Sequence, residues 1–143
     1  MNSEDLKQKY RRGKKDFDGI NLSEANLDGI ELTRASLKGA NLKQASLVAS
    51  YLAKVDLTGA NLAGAYLNQA NLVGANLSGA SLKETYLMGA ILLEAILVKA
   101  DLSGAILVGA NLFRADFKGA CYDENTQFDN DFDPIKAGML KIG

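Results

Sequence analysis

The 143-residue chain has no histidine and no tryptophan, and only one cysteine and one proline. Without histidine there is no Ser-His-Asp triad, no imidazole general base and no imidazole metal ligand. A lone thiol, Cys121, can neither close a disulfide within the chain nor build a zinc site. It fits a reducing compartment, or pairing with a second chain. An excess of one charge is missing too: 16 Lys and Arg face 17 Asp and Glu, so charge alone points to no polyanionic or polycationic partner. Long hydrophobic runs are also absent. The greasiest stretch, ILLEAILVKADLSGAILVGANLF at 91–113, is broken by Glu94, Lys99 and Asp101, whereas a membrane-spanning helix needs about 20 apolar residues in a row. The charged start MNSEDLKQKYRRGKKD reads as neither signal nor transit peptide. The expected location is the cytoplasm, and a membrane is not an expected partner.

What is present is a repeat. Leucine occupies position 22 and every fifth position through 112, nineteen times without a miss, with Phe17, Phe117 and Tyr122 in the same register. Two residues before each leucine stands a small or apolar residue, mostly alanine, with Ile20, Ile30, Ser50, Val55 and Thr85 as variants. The unit is A-(N/D/S)-L-x-x, from Lys15 to Glu124. A period of five fits neither common element. On a helix, five residues advance about 500°, so the leucines would cover every side. On a flat strand, an odd period would send alternate leucines to opposite faces. The chain must turn a corner every five residues, with Ala and Leu pointing inward and the other three outward.

Four such sides close a 20-residue coil, and stacked coils pair their backbones at about 4.8 Å. This pattern resembles the pentapeptide-repeat family over about three quarters of the chain. The resemblance implies an all-β fold, a right-handed quadrilateral β-helix, with a central leucine ladder and small residues at the inner edges. Roughly five coils give a rod of about 25 Å. Glycine ends many units, from Gly19 to Gly119, where a type II corner needs positive φ at its third residue. Units ending in Glu24, Arg34, Gln44, Lys54, Gln69, Glu84, Glu94, Lys99 or Arg114 are expected to turn differently.

The organisation read from the sequence is an N-terminal helical cap at 1–14, the β-helix at 15–124 and a C-terminal cap with a short helix at 125–143. Ser3 is the expected N-cap of the first helix, with Leu6 and Tyr10 closing the first coil. Asp133–Pro134 signals a second helix ending at Gly138, with Phe128, Phe132, Ile135 and Leu140 as plugs. This tail resembles the C-terminal segment of many cyanobacterial members of the family.

Outward residues 20 apart should stack. Asn21, Asn41 and Asn61 suggest an amide ladder, and Asp18 with Lys38 and Glu94 with Arg114 suggest ion pairs. Asp123, Glu124, Asp129, Asp131 and Asp133 are dense enough for a Ca²⁺ site but lack the loop pattern of known cages. Neither metal nor cofactor is therefore expected, and no catalytic residue either. The spaced glycines of GANLSGA have no strand-to-helix turn with which to hold a phosphate.

The surplus lies in outward positions that are apolar: Tyr66, Tyr86, Met88, Ile91, Leu93, Ile96, Val98, Ile106, Val108 and Phe113. Early coils carry Asn26, Asp28, Glu31 and Lys38 at such positions. A contiguous exposed apolar area of this kind marks an interaction site. The expected function is a non-enzymatic protein-protein interaction module or scaffold, contacting an unknown protein or a second copy of itself. Some members of the family mimic DNA with acidic surfaces and bind topoisomerases such as DNA gyrase. That alternative would need a strongly acidic rod, yet residues 15–124 hold nine basic and twelve acidic side chains. A structural protein without a dedicated partner is the third reading, and nucleic acid is not an expected partner.

Overall fold

The structure, a computed structural model, describes residues 1–143. From Asp16 onward each unit's second residue pairs in parallel with the residue 20 positions later, as in Asp16, Ser36, Asp56, Asn76, Ile96 and Asp116. Four such columns make four walls. The middle residues of face one are those just named. Face two runs Asn21, Asn41, Asn61, Ser81, Asp101, Cys121; face three, Asn26, Ser46, Tyr66, Tyr86, Ile106, Gln127; face four, Glu31, Tyr51, Asn71, Ile91, Asn111. Backbone bonds tie each coil to the next: Leu22 N–H donates to the Asn41 carbonyl at 2.7 Å, and Asn41 N–H to the Ile20 carbonyl at 2.9 Å.

Every corner from Phe17 to Phe117 closes with a hydrogen bond from the residue three after the Leu or Phe back to its carbonyl, Ala25 N–H to Leu22 O at 3.1 Å being typical. Non-glycine corners do not turn differently, which corrects the sequence-based expectation. Glu24, Arg34, Gln44, Lys54, Gln69, Glu84, Glu94, Lys99 and Arg114, and Ala49 with them, all have φ between 56° and 65°. The bonds between coils fix the backbone at each corner, so the residue takes the left-handed conformation at about 1–2 kcal/mol.

The preference for Asn or Asp before Leu has a local cause. The side-chain oxygens of Asn21, Asn41, Asn61, Asn71, Asn76 and Asn111 each accept the backbone N–H two residues on, at 3.0–3.2 Å. This is the Asx turn that leads the chain into a corner. The amides of Asn21, Asn41 and Asn61 are thus used within their own coils and make no amide ladder. The expected ion pairs shift as well. Asp18 accepts the Lys38 backbone N–H at 2.9 Å, while the Lys38 ammonium lies 3.7 Å from Asp56. Glu94 and Arg114 form no ion pair; Lys83 bridges to Asp101 at 3.6 Å.

Inside, the leucines and alanines form one continuous core closed by Phe117 and Tyr122. Two positions of the alanine set are polar: Thr85 donates its hydroxyl to the Leu82 carbonyl at 2.7 Å, whereas the buried Ser50 hydroxyl has no partner.

Helix α1, Ser3–Arg11, lies under the first coil. Leu6 is fully buried, and the Tyr10 hydroxyl donates to the Thr33 carbonyl at 2.8 Å. Its N-cap is Asn2, accepting from Asp5 N–H, and not Ser3. At the far end the expected second helix is absent, so only one cap is helical. Residues 134–138 make a turn held by Ala137 N–H to Asp133 O at 3.1 Å, after which β2, Leu140–Lys141, pairs in parallel with β1, Cys121–Tyr122. That pairing turns Leu140 outward, and Ile135 is exposed too; Met139 is buried in their stead. Phe128 and Phe132 do plug the end, edge-on to Tyr122 at 5.8 Å and to Phe117 at 5.4 Å. The acidic tail residues serve the backbone: Asp123 accepts from Gly104 and Asn125, Asp129 from Gly109, and Asp133 from Lys136. No three of them converge on a metal position.

Candidate functional site

The coil register decides which apolar side chains meet. Tyr66, Tyr86 and Ile106 are successive middle residues of face three, and the two tyrosine rings stack at 4.8 Å and 3°. Met88 and Val108 stand beside them, both exposed. Around the next corner lie Ile91, Leu93 and Phe113 on face four, Phe113 at 62% exposure. Ile96 and Val98 fall on face one and are set apart. Glu94 occupies the corner between, and Asp116 and Lys118 follow directly above them. Eight of the ten expected residues thus share two adjacent walls.

The surface extends further down the rod than the ten residues singled out from the sequence. Tyr51, 53% exposed, and the outward Val48, Ala53 and Val73 belong to the same two walls. Applying the 20-residue spacing to positions 48, 51, 53 and 73 would have found them. Across faces three and four, residues 46–53, 66–73, 86–93 and 106–113 contain no Asp, Glu, Lys or Arg, in a chain that is 23% charged. The corner between these walls carries Ala49, Gln69, Gly89 and Gly109, so no charged ridge divides them.

Each apolar residue at the position before Leu leaves one backbone N–H without its Asx acceptor. Where Tyr51, Tyr66, Tyr86, Ile91, Ile96 or Ile106 replaces Asn or Asp, the N–H two residues later loses the Asx acceptor that its neighbours keep. Asn71 and Asn111, directly below and above Ile91, each make that bond at 3.1 Å. A hydrogen bond of this kind contributes about 0.5–1.5 kcal/mol.

Faces one and two are polar and chemically quiet. The Ser36 hydroxyl holds the Asp18 carboxyl below its ordinary range, assisted by the Lys38 N–H. Burial pushes Asp101 up, but the Ser103 hydroxyl and N–H outweigh it and the net shift is down. Burial and the adjacent Asp101 both raise the Cys121 thiol, which keeps it protonated and a poor nucleophile. No helix is long and apolar enough to cross a membrane.

Comparison with known proteins accords with this architecture. The profile described as "Pentapeptide repeats" matches in eight copies, at residues 16–53, 56–92 and 95–121. Among solved structures, the pentapeptide repeat protein Rfr23 from the cyanobacterium Cyanothece 51142 is 29% identical and superposes with a TM-score of 0.83, covering 88% of this chain and 99% of that one. HetL, a pentapeptide repeat protein involved in heterocyst differentiation regulation in Nostoc sp. strain PCC 7120, is 28% identical over 97% of this chain and 70% of its own, with a TM-score of 0.37. The alr5209 protein of Nostoc PCC 7120 is 30% identical over 99% and 96%, with a TM-score of 0.31. Only the Rfr23 overlay bears on the fold among these three. No curated protein matches the chain in sequence. Three matched segments covering most of the chain, and the overlay on Rfr23, agree with the five-residue register: the chain belongs to the pentapeptide repeat family.

Proposed function

We propose that this protein is a non-enzymatic, cytoplasmic protein-protein interaction module. A right-handed quadrilateral β-helix serves as its rigid frame, and the uncharged walls of faces three and four are its contact surface. The observation that carries this reading is the exchange of corner-supporting Asn and Asp for Tyr and Ile on those walls. The exchange gives up hydrogen bonds and exposes apolar area that the Tyr66–Tyr86 stack covers only in part. Burial against another protein would return about 25 cal/mol per Å² of that apolar surface. DNA mimicry finds no comparable support, because these walls hold no carboxylate in four successive coils.

Capture from an extract of the source cells tests the reading. Immobilised wild type should retain a protein, a second copy of itself included, that Ile91→Asn and Met88→Lys baits lose and a face-two Ser81→Lys bait keeps. Equal retention by all baits would remove these walls as the contact surface.

A further inference from the structure

Resting on that reading of the walls, the charge at the two ends of the rod identifies the occupant. Residues 7–15, KQKYRRGKK, hold six basic side chains and no acidic one; residues 123–133 hold five carboxylates and no basic side chain. Part of each segment reaches the same corner, whereas Asp123 and Glu124 lie beside Gly104 at the corner of faces two and three. At the lower end Lys7, Arg11 and Lys15 line a depression with Asp28, Gly29 and Glu31, where faces three and four begin. At the upper end Asp129 and Asp131 line another with Asn111, Phe113 and Phe132. Asp28 and Glu31 keep their charge, and Lys7 is bridged to Glu4 at 3.4 Å, so the lower depression is lined by three basic side chains against two carboxylates. Over the whole end segments the uncharged wall runs between a basic pole and an acidic pole.

The geometry points to a second copy of this chain, packed side by side and antiparallel across the corner of faces three and four. A two-fold contact presents the same surface from both copies. Here an antiparallel pair sets the basic pole of each against the acidic pole of the other, twice by symmetry, while a parallel pair brings like poles together. End-to-end stacking is blocked, because α1 covers the first coil and Phe128 with Phe132 covers the last. A standard interface takes about 800 Å² per partner, roughly a ninth of the 7136 Å² this chain exposes.

Sedimentation equilibrium of the purified full chain from micromolar to millimolar concentration tests this, with the melting temperature of each variant as the folding control. The mass should rise from 15.2 kDa to twice that value. Met88→Lys should weaken the dimer by about tenfold or more, as a central interface truncation does. Arg11→Glu and Asp131→Lys should each weaken it, and the double variant should recover most of the loss. A dimer strengthened by either single reversal would be parallel and would overturn the inference. So would a dimer indifferent to Met88→Lys, or a monomer at every concentration. A monomer whose Met88→Lys variant loses capture of a different protein would refute self-association alone and leave the proposed function standing. A monomer that captures nothing would refute both.

Discussion

Two hydroxyls in the inner alanine column should respond in opposite directions when each is cut back to alanine. Ser50 is 1% exposed and its hydroxyl has no partner. Its backbone N–H bonds Leu47 O and its carbonyl accepts from Asn71 N–H, and alanine keeps both. A buried unpaired hydroxyl costs about 1–3 kcal/mol. Part of the gain on removing it is returned as the small void left behind, so Ser50→Ala should stabilise by about 1 kcal/mol. Thr85 is equally buried, but its hydroxyl reaches Leu82 O at 2.7 Å. Thr85→Ala forfeits about 1 kcal/mol of hydrogen bond and about 0.8 kcal/mol for one buried methyl. For a domain of this size 1 kcal/mol is about 4 °C of melting temperature. Calorimetry should then show roughly +4 °C for Ser50→Ala and roughly −7 °C for Thr85→Ala. Loss of stability in Ser50→Ala would mean that the hydroxyl is satisfied, and would refute the reasoning that any residue able to fill the inner position serves best without a polar atom.

Three further outcomes follow from the same structure. Leu67→Ala, at mid-rod and fully buried, should cost about 3–5 kcal/mol in urea unfolding, and Leu112→Ala, only partly buried in the last coil, distinctly less. At the corners, a Cβ on Gly104 would meet Glu84 Cγ at 3.0 Å, but a Cβ on Gly79 would meet nothing. Both glycines have φ of 64–69°, so Gly104→Ala should lose about 1 kcal/mol more than Gly79→Ala, and Glu84→Gly should abolish that difference. Acid should lower the melting temperature of the rod in a defined window. Asp18 is held below its ordinary 3.8 chiefly by the Ser36 hydroxyl, and Glu31 below its ordinary 4.5 chiefly by Thr33. Lowered native values mean stability that is complete above those ordinary values and is lost as pH falls through the native ones. The melting temperature should stay level from neutral pH to about pH 5 and then fall, less steeply in Asp18→Asn.

The frame was legible because one constraint repeats without interruption: Leu at every fifth position leaves a single geometry that keeps all the leucines inside. What the sequence hid was set by contacts between coils and not by local preference. Glu24 and Lys54 disfavour positive φ, yet bonds to Lys43 O and Val73 O in the next coil place them there. Pro134 announces a helix, but pairing of Leu140–Lys141 with Cys121–Tyr122 draws the chain onward after one turn. Asn21, Asn41 and Asn61 line up as a ladder in the register, while each amide oxygen finds a closer acceptor role two residues along its own strand. For the contact surface, the outward apolar residues were readable, but their division was not. Ile96 shares its pattern with Ile91, and only the turn of the coil at Glu94 puts the two on different walls.

The claim on which the account rests is that the apolar wall residues serve contact and not the fold. The unfolding free energy of an Ile91→Asn, Ile106→Asn double variant, measured in denaturant on dilute protein, tests it most directly. Restored Asx bonds should offset the lost side-chain contacts, leaving stability within about 1 kcal/mol of wild type or above it. A loss of about 3 kcal/mol or more, the size of a core truncation, would show that the wall holds the rod together and would contradict the account.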